Sequence, residues 1–423
     1  MAQDGLILGV DFGTSNSAAG YLLDGRPRLI EMAPGRTTLP TTFFFDFETR
    51  RTLIGEPANE ALLQGAKGRF MRALKRVLGT SLMHEPRQIL NERVTFVEII
   101  ARFLAHIKAR AEAQAGMTFD RALSGRPVVF HGTGDAREAQ AEADLRACYL
   151  AAGFSDVAFM VEPEAAAIAS GALDRSGEIG LIVDIGGGTS DFSLFRGGEA
   201  GTEILANHGV RVGGSDFDRA LSIDQVMPHL GKGTELRRAM GPGVAPAPNA
   251  IFNDLATWEK IPFLYTAQNR RMAEEMARLA EEPEKLSRLA LALEEELGHD
   301  LAFAVERGKI AANVGDAGDN GIGDGAVIAL DMIEPGLAAP LTARALADCL
   351  APFADALEAG AAETLRLAGL PAASVDRVVY VGGSSQMAIV SDRMAAVFPK
   401  ARHAFTEVFT AVADGLAIAA ARA

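Results

Sequence analysis

Gly180 to Phe195 reads GLIVDIGGGTSDFSLF. An apolar run of strand type, Leu181 to Val183, ends in Asp184, and Gly186-Gly187-Gly188 then forces a tight turn. Residues without a Cβ turn there by adopting φ > 0 and expose backbone N–H groups, a feature of anion-binding loops. Thr189, Ser190 and Asp191 add two hydroxyls and a carboxylate before Phe192 to Phe195 resumes a strand. The order strand, acid, glycine turn, hydroxyls, strand suits a phosphate and its metal ion. An ordinary glycine hairpin has the same local pattern.

The pattern occurs twice. Leu6 to Leu23 reads LILGVDFGTSNSAAGYLL, with Asp11 closing an apolar strand and Gly13-Thr14-Ser15 forming the turn before a returning strand at Ser17 to Leu23. Two distant copies of Val-Asp-x-Gly followed by Thr-Ser point to a duplicated lobe, with the two hairpins facing each other across a cleft.

Composition narrows the class. A chain of 423 residues with 48% hydrophobic and 23% charged residues is globular and has room for more than one domain. A net charge of −14 argues against a nucleic-acid partner. An acidic nucleotide binder has to build its positive site locally, from backbone N–H groups, a cation and a few basic side chains. Two cysteines imply no disulfide framework, and the seven histidines show no zinc-type spacing. No apolar run approaches a membrane span and Met1 to Asp4 leads directly into the first strand, so a cytoplasmic protein is expected.

Working outward, Arg28 to Met32 and Thr41 to Phe47 read as strands, and Arg69 to Leu78 (RFMRALKRVL) as a helix with Phe70, Leu74, Val77 and Leu78 on its buried face. On composition, Lys75-Arg76 is a solvated basic face. Phe96 to Ala115 reads as a long amphipathic helix, Arg126 to His131 as a strand, Arg137 to Ala152 as a helix and Val157 to Val161 as a strand. The helix Glu164 to Leu173 is rich in small residues, as is Val408 to Ala421. Strands alternating with helices predict a parallel or mixed α/β sheet. Pro228 to Pro248 reads as loop, Arg270 to Gly298 and Asp300 to Asn313 as long charged helices, and Val314 to Asp324 as an acidic glycine-rich loop. Leu341 to Ala368 reads as one helix containing Pro352, followed by the strand Val375 to Val381 and a helix at Met387 to Phe398.

Seven segments agree in order with one family: GVDFGTSNSAAG (9–20), LKRVLG (74–79), EPEAAAIASG (162–171), VDIGGGTSDFS (183–193), GGSDFD (213–218), VGGSS (381–385) and TAVADGLA (410–417). Together they resemble the ATPase domain of the DnaK-type heat-shock chaperones over most of the chain, weakest at Pro228 to Gly298. The resemblance implies an α/β, two-lobed actin-like ATPase of duplicated ribonuclease-H-like domains with inserted helical subdomains. It also implies ATP or ADP with Mg²⁺ between the lobes. Residues 1–175 would form lobe I, 176–405 lobe II with a helical insertion at about 222–325, and 406–423 a hinge helix returning to lobe I.

By the same resemblance, Gly13, Thr14 and Ser15 cradle the β-phosphate, and Gly186, Gly187, Gly188 and Thr189 the γ-phosphate. Asp11 and Asp184, with Asp191, hold hydrated Mg²⁺. Lys75 reaches the γ-phosphate, which reverses its assignment to a solvated face, and Glu162 with Thr189 and Asp191 orders the attacking water; Lys75, Glu162, Asp184 and Thr189 are the implied catalytic set. Gly213 and Gly214 join the nucleotide-binding residues. Gly382, Gly383 and Ser384 line the adenosine pocket together with Lys309 and Gln386.

The two small-residue helices would cross between the lobes as a hinge, a role compatible with generic close packing. Ile310 and Gln386 stand where the chaperones clamp adenine with arginines, and Glu164 replaces a hydroxyl residue. The chain stops soon after its last helix, without a linker or a β-sandwich for peptide clients, so it is similar to the short YegD-like proteins that consist of the ATPase module. The expected function is a nucleotide-gated, chaperone-like ATP hydrolase with a nucleotide and an unidentified protein as partners. A sugar-type kinase of the same superfamily, or a non-enzymatic nucleotide-sensing scaffold or filament protein, are the alternatives.

Overall fold

The computed structural model describes residues 6–132, 134–169, 177–198, 201–238, 241–314, 326–405 and 410–421. The chain divides into two compact units, Met1–Gly214 with Ala354–Ala423, and Ser215–Phe353. The lobe boundary expected at 175/176, residue 406 at the start of the last segment, and the loop expected at 315–324 lie outside the described residues.

The first unit contains two large sheets that share one five-strand order. In the first sheet the strands Arg26–Leu29, Asn16–Leu23 and Ile7–Phe12 form an antiparallel meander, extended in parallel by Arg121–Arg126 and Asp156–Val161. In the second, Gly201–Val210, Ser190–Gly198 and Ile179–Ile185 repeat the meander, and Arg377–Val381 and Arg402–Phe405 repeat the parallel extension. Each sheet sends the chain through a long helix after its third strand, through another between its fourth and fifth, and into a small-residue helix after its fifth. The motif repeat read from Asp11 and Asp184 is therefore a repeat of whole topology.

Local sequence sets the helix ends. Phe96–Ala115 begins at a capping box, Thr95 with Glu98, and stops at Gly116 with φ 68°.

The small-residue helices are exchanged. Ala411–Ala420, which follows the second sheet, packs on the first two strands of the first sheet, and Glu162–Ala169, which follows the first sheet, contacts the second. They cross so closely that a Cβ on Gly415 would lie 1.8 Å from the Ala165 carbonyl oxygen. Ala165, Val412 and Leu416 share one core with Leu123 of the first sheet and Ile182 and Val379 of the second. The expected extensions of these helices to 170–173 and 408–409 lie outside the described residues.

Several sequence expectations are corrected. Arg69 to Leu78 is not a helix: Gly68–Arg72 is a strand paired with Thr42–Asp46, Ala73 is left-handed at φ 62°, and Leu74–Val77 is one 3₁₀ turn. The aromatic strand Thr42–Asp46 supplies a ladder and a buried surface that outweigh helical spacing. That strand belongs to a separate three-stranded sheet.

The strand expected at Arg126 to His131 lies earlier, at Arg121–Arg126. Pro127 has no N–H for a ladder, and the Val128 N–H donates instead to Asp191 Oδ1 at 2.8 Å. Finally, Gly186, Gly187 and Gly188 are not in the left-handed region, unlike Gly382 at φ 81°.

In the second unit, the helix expected over Arg270 to Gly298 is two, Ala267–Leu279 and Pro283–Glu294. Ala280 is extended and bridges Leu236, and Pro283 starts the next helix. The loop expected at Pro228 to Pro248 contains a hairpin, Glu235–Arg237 with Val244–Pro246. Among the described residues, no helix is long and apolar enough to cross a membrane.

Candidate functional site

Asp11 and Asp184 occupy equivalent places, one residue before the end of the first strand in each sheet. Across the hairpins, Asp184 pairs with Asp191 and Asp11 with Ala18. The turns that follow meet: a Cβ on Gly187 would lie 2.6 Å from Ser15 Oγ and 3.0 Å from Thr14 Cβ. A Cβ on Gly188 would lie 3.2 Å from Thr14 Oγ1. Close approach, not left-handed backbone, is why these positions are glycine.

Behind them, Gly214 N–H donates to the Gly186 carbonyl at 2.9 Å, and a Cβ on Gly213 would sit 2.6 Å from Gly188 N. Gly186 N–H closes its own turn on Thr189 O. Among the described residues, the N–H groups of Gly13, Thr14, Ser15, Gly187, Gly188 and Thr189 donate to no other group. Two adjoining loops of undonated N–H groups are an oxyanion cradle.

Lys75 lines one pocket with Thr14, Gly188 and Thr189 of these turns. Its segment is held from outside: Asp144, 1% exposed, accepts from Gly79 N–H at 2.8 Å, and His131 Nε2 donates to the Leu78 carbonyl at 2.6 Å. The left-handed Ala73 turns the chain from its strand into the 3₁₀ turn. Lys75 is only 8% exposed and donates to Glu162 Oε1 at 2.6 Å, so it is no solvated face. Asp144 and His131 carry no motif, and their part in placing Lys75 is visible only in three dimensions.

Around this pair lie Asp11, Asp184 and Asp191, so four carboxylates oppose one ammonium. Desolvation, then repulsion from Glu162, lifts the Asp11 carboxyl from 3.8 to about 7, against the pull of Lys75. Asp184 is raised well above its ordinary range by burial, then by Glu162, Asp191 and Asp11. Asp191 is raised by burial and then by Glu162. For Lys75, burial opposes the charged form, yet Glu162, Asp11 and Asp191 outweigh it and raise its pKa.

Asp191, expected in the cation shell, has both oxygens engaged. Oδ1 accepts from Val128 N–H and Oδ2 from Thr189 Oγ1 at 3.4 Å, tying the segment after the first sheet's fourth strand to the second hairpin. Among the described residues, no three His, Cys, Asp or Glu side chains are grouped to ligate one ion directly.

The remaining expected residues are placed as follows. Gly382 adjoins Asp184, since its Cβ would lie 2.8 Å from Asp184 Oδ1. Gly383, Ser384 and Gln386 form a 3₁₀ turn, and Ser384 Oγ lies 2.3 Å from where a Gly214 Cβ would stand. Lys309 belongs to the second unit, where it is buried and donates to Asp218 Oδ1 at 2.6 Å. Trp258 Nε1 donates to the other oxygen of Asp218.

The family model described as Hsp70 protein matches residues 7–236, more than half of the chain, including Asp11, Lys75, Glu162, Asp184 and both glycine turns. Chaperone protein DnaK of Endomicrobium trichonymphae is 34% identical over 241 residues, 55% of this chain and 37% of that protein. Chaperone protein DnaK of Ureaplasma urealyticum serovar 10 is 32% identical over 219 residues, 51% of this chain and 34% of that protein. The matches thus span about a third of the length of these relatives. With the duplicated strand order and the paired hairpins they give one conclusion: the chain belongs to the Hsp70 family, and its fold is the actin-like, two-lobed ATPase fold.

Proposed function

We propose that this chain binds ATP with Mg²⁺ and hydrolyses it to ADP and inorganic phosphate, as the nucleotide-gated module of a chaperone-type protein. The observation that carries this is the pair of turns with undonated N–H groups, whose Thr14, Gly188 and Thr189 line one pocket with Lys75, itself paired to Glu162 amid a surplus of carboxylates. Gly13, Thr14 and Ser15 hold the β-phosphate, and Gly187, Gly188 and Thr189 the γ-phosphate. Lys75 balances charge that develops on the transferred phosphoryl group, and Glu162 fixes its position. Asp191, which accepts from Val128 N–H and Thr189 Oγ1, ties the segment after Arg121–Arg126 to the second hairpin, and Thr189 and Asp191 with Glu162 order the attacking water. Gly213, Gly214 and Gly382 to Gln386 take the nucleoside side. Lobe I ends at 175 and lobe II at 405.

The donor set fits Mg²⁺: carboxylate oxygens suit a hard cation, and the raised Asp11 and Asp184 mark carboxyl groups whose charge Lys75 offsets only in part. Asp11 and Asp184 would hold it, with water and phosphate completing its shell. Bound there, the ion supplies neutralisation of the phosphate oxygens.

Phosphate release from ATP, with Mg²⁺ and no added acceptor, tests the proposal. Hydrolysis is expected, and strict dependence on a sugar or other acceptor would replace it with a kinase.

The carboxylate cluster predicts a pH signature. The unfolded chain releases the Asp11 proton near pH 3.8, whereas the folded, metal-free chain keeps it to about 7. Over that window the folded state binds more protons, so this group's stabilisation is lost as pH rises. Without added Mg²⁺ or nucleotide, the melting temperature of the native chain relative to Asp11→Asn should therefore fall between pH 4 and pH 7. A difference that is flat or rises over this range would overturn the assignment of an uncompensated carboxylate.

A further inference from the structure

We propose that Asp144 is a positioning residue for the Lys75 ammonium: with His131 it clamps the Leu78–Gly79 peptide, on which the Lys75 turn ends; this rests on the ATPase function proposed above. The Leu78 carbonyl and the Gly79 N–H belong to one planar peptide and point to opposite sides of it. His131 Nε2 donates to the carbonyl at 2.6 Å, and Asp144 Oδ2 accepts from the N–H at 2.8 Å. Two bonds on opposite edges of a rigid plane fix its orientation, and with it the direction of the chain leaving Lys75.

The turn depends on that clamp. Leu74–Val77 is a single 3₁₀ turn between the left-handed Ala73 and Leu78, which is already outside helical conformation at φ −53° and ψ 138°. Hydrogen bonds in such a turn are poorly aligned, and the bond that closes it, from Leu78 N–H to the Lys75 carbonyl, is 3.4 Å long. The turn's own backbone therefore holds the Lys75 Cα weakly, and the flexible four-carbon side chain adds no rigidity. Only the far end of Lys75 is fixed by a partner of its own, Glu162 at 2.6 Å.

Both jaws are set by one helix, Arg137–Ala151. Asp144 lies on it, 1% exposed, and its Oδ1 accepts from Gln140 Nε2 at 2.7 Å and from the exposed His84 Nε2 at 2.9 Å, which leaves Oδ2 aimed at Gly79. Glu138, in the first turn of the helix, accepts from the N–H groups of Phe130, His131 and Gly132 at 2.9, 2.6 and 2.9 Å and so holds the His131 backbone. Gly79, at φ 77°, lets the clamped peptide lie against the helix: a Cβ there would stand 2.7 Å from the Arg137 carbonyl oxygen and 3.1 Å from Ala141 Cβ. Against burial, the charges that raise Lys75 are those of Glu162, Asp11 and Asp191. Asp144 reaches Lys75 through the backbone instead.

Steady-state ATP hydrolysis and exchange of backbone amides over residues 74–80, both on the whole chain, test the clamp. Asp144→Ala should lower kcat about 10–100-fold while KM for ATP and Kd for Mg·ADP stay within about threefold, because displacing a charge-balancing group by about 1 Å costs turnover before it costs binding. Amide exchange over 74–80 should quicken at least about tenfold. Asp144→Asn keeps an oxygen for the Gly79 N–H and should recover kcat to within about threefold of the native value, with native exchange. His131→Ala releases the carbonyl edge of the same peptide, should give the same signature, and carries the test if Asp144→Ala does not fold. Unchanged kcat in a folded Asp144→Ala chain, a loss of ADP affinity as large as the loss in kcat, or an Asp144→Asn chain no better than Asp144→Ala would overturn the proposal. A native chain that does not hydrolyse ATP would sink the ATPase function, and exchange over 74–80 would still decide the clamp. Faster exchange in Asp144→Ala but not in Asp144→Asn upholds it, and equal exchange in all three chains overturns it.

Discussion

Lys75→Ala should reduce phosphate release from ATP by about 10²–10³-fold while Mg·ADP still binds. Under the proposed function, Lys75 would act on charge that appears only as the γ-phosphoryl group is transferred, whereas ADP would be held by the two glycine turns and the Gly382 to Gln386 segment. The structure adds a second effect. Lys75 is the cation inside a buried set of carboxylates, and removing one partner of a buried pair costs about 3–5 kcal/mol. The variant should therefore unfold at a lower denaturant concentration, and Mg·ADP should restore part of the loss. Single-turnover kinetics with parallel ADP calorimetry give the check. Loss of ADP binding and turnover together, in a folded variant, would mean that Lys75 serves ground-state binding.

Gly415→Ala should be the most damaging single methyl in the chain's core. The added carbon would stand 1.8 Å from the Ala165 carbonyl oxygen and 2.4 Å from its carbon, both backbone atoms with no rotamer to escape through. Overpacking a rigid core site typically costs 1–3 kcal/mol, and a backbone–backbone clash belongs at the upper end, about 3 kcal/mol. Gly186→Ala is the control, since its Cβ would meet only Thr189 O at 3.6 Å. The expectation is a large drop in urea midpoint for Gly415→Ala and a small one for Gly186→Ala. Similar midpoints would mean that the helix crossing relaxes freely.

The two acid–glycine hairpins were legible because their signal is local. Acid, glycines and hydroxyls follow one another within a few residues at Asp11 and at Asp184, and each hairpin carries its own chemistry. Lys75 was reachable only through family resemblance, because its segment has helical spacing while Thr42–Asp46, far away in sequence, claims its first half as a strand. The shift of the expected strand at Arg126 to His131 depended on Asp191, 63 residues from the Val128 N–H that it accepts. Small-residue composition announced close helix packing at Glu162–Ala169 and Ala411–Ala420. It carried no information about which sheet each helix covers, because that choice is made by the surface of the partner.

The exchange of those two helices bears on how the chain is made. The strand Ile7–Phe12 has its Gly9 packed against Ala417, so an earlier segment waits for one synthesised much later. Until the Ala411–Ala420 helix has left the ribosome, apolar side chains of the first sheet lack their native cover. Ser215–Phe353, a single uninterrupted stretch, has no such debt to the C-terminus for its internal contacts. Vectorial synthesis therefore favours the second unit maturing before the first sheet is covered, with the nascent first sheet exposed to aggregation in the interval.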